Sequence, residues 1–481
     1  MLKFLKHNIY QVILAVMIVA YIAYFGTFSV LKFRHLYAGY FDLGIMHHTV
    51  YNSYMALRTG DLSRVLELTT PHGGIDQVKR MAIHNDIILF FLAPFYFIHA
   101  GPETLLIIQT VVLALGAWAV FKISQQVIKN DLVSLVFAFA YLMYAPMQRA
   151  NIFEFHAVTI ATTSLLYMFY FWLKGRNKLM LLFLIISLLT KEEVGLTLGM
   201  FGVGLMVREI FRSRTTPLTW RDFRLPAFVG ALSWIWSLLS VFWIIPHFRD
   251  GEHFAMGYYH NSFDTFKSYI FSFDTVRYLF YLLGPLAFFG IFAPEFLLIA
   301  APELGINLLS SNLQLRSFIF HYTSVLQPWM FIGAIYGVRR LFRGRIGKSA
   351  IYLSSIIILA SLAFNYLQGP LPFDRDKNVD ALLYDRNVEY QVVARWADRL
   401  SSDSIKVAAT DEIAPFFTSR RYFYIFSHTY TAADYVIVGL ANIQYTYRND
   451  VTIPAYEELE DDPRFEKVDE QWGYEIYKKR I

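Results

Sequence analysis

Apolar residues in this chain come in long unbroken blocks, and charges gather in the short gaps between them. A block of about 20 apolar residues is long enough to cross the hydrocarbon core of a bilayer. Inside lipid such a block must be helical, because every backbone N–H and C=O needs a partner within the chain. The pattern predicts about eleven spans: Ile9–Leu31, Glu103–Ile123, Leu132–Pro146, Ala157–Leu173, Leu179–Thr190, Val194–Val207, Pro226–Ile245, Val276–Phe292, Glu295–Leu309, Tyr322–Val338 and Ser349–Tyr366. Leu179–Thr190 and Val194–Val207 are short, consistent with a break inside the membrane. The first block is too long for a secretory leader and lacks a small-residue cleavage pattern, so it reads as a retained helix.

Ile87–Ile98 is apolar but only about 12 residues long, and it reads as an interfacial or re-entrant helix. The first loop then runs over residues 32–102. From Gly369 onward the apolar runs shorten and charge rises. Val388–Leu400 has helical periodicity, and Ile405–Thr410, Tyr422–Phe426, Asp434–Gly439, Phe465–Asp469 and Tyr474–Lys478 read as strands. The expected organisation is a transmembrane domain over residues 1–368 and a small α/β domain over 369–481.

Composition agrees with the pattern. Of 481 residues 56% are hydrophobic and only 17% charged, against about 25% charged in soluble domains. Mean hydropathy is +0.39. There is no cysteine, which excludes disulfides, thiolate metal sites and a cysteine nucleophile. The net charge of +5 matters less than where the cations sit. Lys3 and Lys6, Lys122 and Lys129, Lys174 to Lys178, Arg208 to Arg224, and Arg339 to Lys348 all fall on one side of the eleven-span arrangement. The positive-inside rule makes that side cytoplasmic. The expected protein is a multi-pass plasma-membrane protein with a cytoplasmic N-terminus and an extracytoplasmic C-terminal domain. No nucleic-acid partner is expected.

The candidate chemistry then lies in charges beside the opposite ends of the spans, where ionisable groups are costly and tend to be functional or paired. Asp42, between Phe41 and Leu43, is a possible general base or hard-cation ligand, or else the N-cap of a helix starting at Leu43. Glu154 and His156 share one side of an extended Phe-Glu-Phe-His segment and could hold a metal or a phosphate-bearing substrate, or simply anchor a hairpin at the interface. Lys191-Glu192-Glu193 interrupts an apolar run. Lys191 could take a phosphate and a carboxylate a metal, or the three could form an ion-paired turn. His84 is a phosphate ligand or part of a helix cap. Arg316 and His321 suit a lipid phosphate or snorkel at the interface. The loop from His247 to His260 holds several His and acidic residues without an interpretable spacing. No Walker-type glycine loop and no HExxH motif occurs, and no matched pair of interrupted spans points to a secondary transporter.

Taken together, a first span, a long loop opening on an Asp, an interfacial helix, an acidic motif in the second loop, many further spans and a C-terminal domain resemble the GT-C superfamily of membrane glycosyltransferases. Within that neighbourhood the chain is similar to a bacterial and archaeal domain-of-unknown-function family of predicted membrane proteins. The matching stretches are Phe41–Gly44, Phe153–His156, Thr190–Glu193, Ala301–Leu304, and Val407–Thr410 with Pro415 and Ser419–Arg421. The resemblance implies a GT-C-like fold and inverting transfer of sugar from a polyprenyl-phosphate donor to a glycan, lipid or protein acceptor. It implies that Asp42 is the first-loop acid that activates the acceptor or binds metal. His84, His156, Lys191, Arg316 and His321 become phosphate or substrate ligands, and Glu154 and Glu192 candidate ligands of a divalent cation (Mg or Mn). The sequence departs from the pattern at His156, where oligosaccharyltransferases tend to have a further acid. A transporter or a lipid- or glycan-binding scaffold without catalysis is the alternative. Convergence of Asp42, Glu154 and Lys191 on one cavity separates the enzyme from the scaffold.

Overall fold

The computed structural model describes residues 8–212, 219–259, 262–375, 386–445 and 447–480. Lys3, Lys6, Arg214 and His260 lie outside them. Among the described residues six helices are long and apolar enough to cross a membrane: Ile9–Arg34, Pro102–Ile128, Asp131–Phe153, Val194–Arg212, Trp220–Arg249 and Ile346–Gln368. Their ends follow local chemistry. Pro102 opens its helix where no intrahelical N–H partner is needed, and Lys129 closes it in the left-handed conformation at φ 59°. The Asn130 side chain accepts the Val133 N–H to start the next.

The other expected spans are shorter or broken. Thr159–Leu173 and Asn177–Leu188 are short apolar helices, and Gln327–Leu341 covers most of Tyr322–Val338. Val276–Phe292 is not one span. A helix over Phe273–Leu283 ends at Gly284-Pro285, and the chain turns through Ala287 and Phe288 at positive φ, because proline supplies no N–H to continue the ladder. Glu295–Leu309 is likewise split into Pro294–Ile299 and Ala301–Leu309 beside Pro302. Ile87–Ile98 forms a short helix, Ile88–Leu92, tightened into a 3₁₀ turn over Ala93–Phe97 at Pro94. Phe91, Phe95, Phe97 and Ile98 stand exposed along it, as a helix lying in a bilayer interface would present them.

The C-terminal strands follow the expected pattern closely. With β1 (Glu67–Thr69) and β2 (Gln77–Lys79) forming a hairpin in the first loop, the later strands are β3 (Val407–Ala409), β4 (Phe423–Ile425), β5 (Tyr435–Gly439), β6 (Phe465–Gln471) and β7 (Tyr474–Lys479). They lie in the order β4-β3-β5-β7-β6. β3 runs parallel to β4 and β5, and β7 antiparallel to β5 and β6. Helices Asn387–Arg399, Leu440–Tyr445 and Asn449–Glu460 accompany the sheet, the last two unforeseen.

This unit does not sit apart. Leu36, Tyr40, Ile45 and Leu68 of the first loop share one apolar core with Trp396, Val407, Phe423, Ile437 and Ile476. Arg64 adds a two-pronged ion pair to Asp403, at 2.6 and 2.8 Å, and Arg421 pairs with Glu67 at 3.2 Å. The C-terminal unit therefore clamps the loop that carries Asp42.

Candidate functional site

Asp42 lies in a wide helical turn, Tyr40–Gly44, that leads into the helix Ile45–Thr59. Three backbone amides around it are held by acids from other parts of the chain. Glu154 accepts the Gly39 N–H at 3.0 Å with one oxygen and the Leu43 N–H at 2.8 Å with the other. Asp411, from the C-terminal unit, accepts the Tyr40 N–H at 2.7 Å. Behind Glu154, the buried Lys32 ammonium donates to the carbonyls of Ile152 and Phe153. Those are end carbonyls of the helix Ala145–Phe153, which lack intrahelical donors. The turn is thus fixed by two acids from distant segments, and Gly39 and Gly44, not Asp42, occupy the cap positions of the turn and of the helix that follows.

The Asp42 carboxylate, with 35% of its side chain exposed, accepts a hydrogen bond from His156 Nε2 at 2.9 Å. The His156 amide donates to Gln109 at 2.9 Å, and its ring stacks on His321 at 3.6 Å between centroids. Burial alone would raise the Asp42 carboxyl. The His156 ring, by charge and hydrogen bond, and the cations Lys32 and Arg80 outweigh burial and hold it below the ordinary carboxylate range. Burial, His156 and Lys191 push His321 well below the ordinary imidazole range.

The Lys191-Glu192-Glu193 segment, at the junction of the helices Asn177–Leu188 and Val194–Arg212, lines the same cavity as Asp42. Lys191 pairs with Glu193 at 2.8 Å and lies over the Tyr322 ring at 5.8 Å. Burial would lower the Lys191 ammonium, but Glu193 and Glu192 outweigh it and keep it charged far into the alkaline range. Glu192 accepts from His84 Nδ1 at 2.7 Å, His253 Nε2 at 2.9 Å and the Asn85 amide at 3.0 Å. Burial opposes ionisation of Glu192, and His84, His253 and Lys191 override it, so its carboxyl stays well below the usual range.

This cavity, of about 480 Å³, is lined by Asp42, His84, His156, Lys191, Glu192, Glu193, His253, Glu303, His321 and Tyr322. The structure thus brings Asp42, His84, His156, Lys191, Glu192 and His321 onto one surface, so of Asp42, Glu154 and Lys191 two converge on the cavity and Glu154 does not. Two sequence expectations are corrected. Glu154 does not face the cavity, since both its oxygens hold backbone amides of the Asp42 turn, so it positions the acid and is not placed to hold a metal there. Arg316 is buried with its guanidinium 4.4 Å from the Tyr269 ring and a bond to the Ser310 carbonyl at 3.3 Å. It is not among the residues that line the cavity.

Two residues were missed. His253 reaches Glu192 across 61 positions of sequence, and no local spacing announces such a contact. Glu303 does carry a signal: it is an acid inside an apolar run, a costly placement in a membrane. It is buried, and its Oε2 has no hydrogen-bond partner among the described residues.

The role of Glu154 is open to a stability test. Glu154→Ala leaves two buried amides without an acceptor. On the order of 2–4 kcal/mol of stability should go with it, read as a lower melting temperature of the detergent-solubilised protein. An unchanged melting curve would remove Glu154 from this role.

The helical membrane bundle, with its sheet unit packed on the first long loop, has a GT-C-like fold similar to that of ArnT. ArnT from Cupriavidus metallidurans bound to undecaprenyl phosphate matches over 96% of this chain and 97% of its own, at 14% identity and a TM-score of 0.55. The same protein in the apo state matches over the same shares at 13% identity and a TM-score of 0.50. Arabinofuranosyltransferase AftD from Mycobacteria aligns with 96% of this chain and 40% of its own, at 12% identity and a TM-score of 0.47. The chain belongs to the DUF2079 family of predicted membrane proteins, whose pattern matches residues 32–475. None of the curated proteins compared matches it.

Proposed function

We propose that this protein is an inverting membrane glycosyltransferase that moves a sugar from a polyprenyl-phosphate donor to an acceptor hydroxyl on the extracytoplasmic side of the plasma membrane. The observation that carries the reading is Asp42. The turn that carries it is held by Glu154 and Asp411, and it lines the same cavity as Lys191. The GT-C fold supports the class of reaction. That ArnT was solved with undecaprenyl phosphate supports a lipid-phosphate donor. Basic loops at the other ends of the spans support the orientation.

In this reading the acceptor hydroxyl attacks the anomeric carbon as the bond to the phosphate oxygen breaks. The electron pair leaves with the lipid phosphate, and the hydroxyl proton passes to Asp42. A carboxylate held below its ordinary range is a weak base, so it accepts the proton late, once the attacking oxygen has become acidic. Meanwhile it orients the hydroxyl. Lys191 offsets the charge that develops on the departing phosphate. No nucleotide is consumed, because the donor linkage carries the energy.

The direct test offers membranes containing the protein a panel of polyprenyl-phosphate sugars and follows label transfer to endogenous acceptors. Transfer from one donor class above vector-only membranes is expected. A panel that is inert while the purified protein still binds polyprenyl phosphate would favour a lipid-binding scaffold.

A further inference from the structure

The reaction proposed above leaves one cluster on the cavity wall without a task. We propose that His84, Glu192 and His253 form a binding site for a transition-metal ion of the zinc type. The three come from separate segments: the loop before Ile88–Leu92, the break between Asn177–Leu188 and Val194–Arg212, and the stretch after Arg249. One ligand atom from each lies within 4.8 Å of the others, and all three residues line the cavity. Packing has brought a carboxylate and two imidazoles to one point from distant parts of the chain.

The donor set decides the kind of ion. Two imidazoles and one carboxylate suit zinc and its neighbours, whereas Mg prefers oxygen ligands alone. Bonds of about 2.0–2.1 Å place neighbouring ligand atoms on a tetrahedral zinc about 3.3 Å apart. The imidazole–carboxylate separations of 2.7 and 2.9 Å need only modest widening to reach that. Glu192 is already oriented, its second oxygen held by the Asn85 amide, and the Asn85 side chain is anchored in turn on Ser240 at 2.7 Å. Such outer partners hold a ligand's direction in metal sites. Three protein ligands leave a coordination position open toward the cavity, where an oxygen of a phosphate or a water could enter.

Binding has a definite cost at the imidazoles. Without metal, each ring nitrogen that faces Glu192 carries the proton it donates. To ligate, each ring must shift that proton to its far nitrogen. For His253 the far nitrogen now accepts the Ala255 amide at 3.0 Å, so that amide must turn aside. The competing arrangement is a carboxylate bridging two imidazoles by hydrogen bonds alone, with no metal.

Metal content distinguishes the two, and it can be read whether or not any sugar is transferred. The full chain, with its affinity tag removed, is purified in detergent without chelators and analysed by mass spectrometry for metals. It is then stripped and titrated with zinc chloride and with cobalt chloride. Stoichiometric zinc, a zinc-dependent rise in melting temperature and the visible bands of four-coordinate cobalt are expected. Glu192→Gln, His253→Ala and His84→Ala should each weaken zinc binding by more than the roughly 10–100-fold that loss of an outer partner costs. Asp42→Asn should leave it unchanged. Should a variant not fold, the stripped wild-type titration stands alone. Wild-type protein that retains no metal and responds to neither ion, or variants that all bind as the wild type does, would overturn the proposal.

Discussion

Asp42→Asn should lower the rate of sugar transfer about 10²–10⁴-fold, the usual share of a positioned acid or base, with expression and melting temperature unchanged. The fold is expected to tolerate the change because the amide keeps the size of the carboxylate and can still accept the His156 Nε2 bond. The amides before Asp42 are held by Glu154 and Asp411, not by Asp42 itself. What disappears is the charge and the capacity to take a proton. The pH profile of the wild-type enzyme carries the same information. The Asp42 carboxyl lies below its ordinary range, so the ionised form persists above that value and is lost as pH falls through it. The acid limb of kcat/KM should therefore appear below the ordinary aspartate value of about 3.9, or stay hidden by unfolding. Single-turnover rates with a competent lipid donor read both effects. An Asn variant as fast as the wild type would remove Asp42 from the chemistry.

Parts of this site were legible because hydrocarbon penalises charge. Lys191, Glu192 and Glu193 break an apolar run, where charges are costly and tend to be functional or paired. Asp42 was legible as a base, a cation ligand or a helix cap, with nothing local to choose among them. The structure puts Gly39 and Gly44 at the cap positions of the turn and the following helix, and Asp42 on the wall of a cavity. Glu154 and Arg316 show the limit from the other side. Both are residues of suitable chemistry near the right ends of helices, and both are turned away. Glu154 faces the amides of the turn and Arg316 faces Tyr269. The direction of a side chain depends on partners more than 40 residues away in each case, since Glu154 meets Leu43 across 111 positions and Arg316 packs on Tyr269. The fold divides in the same way. Strands of the C-terminal sheet were visible as short apolar runs between turns. Its sharing of a core with Leu36, Tyr40 and Leu68 was not, because that contact joins the two ends of the chain.

The second large effect concerns Lys191. Replacing it by Met removes a cation from the cavity that Asp42 also lines, and also strands Glu193, whose side chain is only 14% exposed and loses its partner at 2.8 Å. A single variant therefore mixes a catalytic loss with a structural one, because an unpaired buried charge is destabilising in its own right. Lys191→Met combined with Glu193→Gln separates them. The double variant leaves no unpaired charge from this pair and should recover most of the melting temperature. Its kcat should still fall about 10²–10³-fold, the size expected when one group stabilising a departing oxyanion is lost. Glu193→Gln alone leaves Lys191 charged beside Glu192 and should keep most of the activity. KM for the lipid donor should change less than kcat in the double variant, because the phosphate gains most of its charge as the sugar departs. If instead activity returns with stability in the double variant, Lys191 holds the wall together and the leaving phosphate is met by another group.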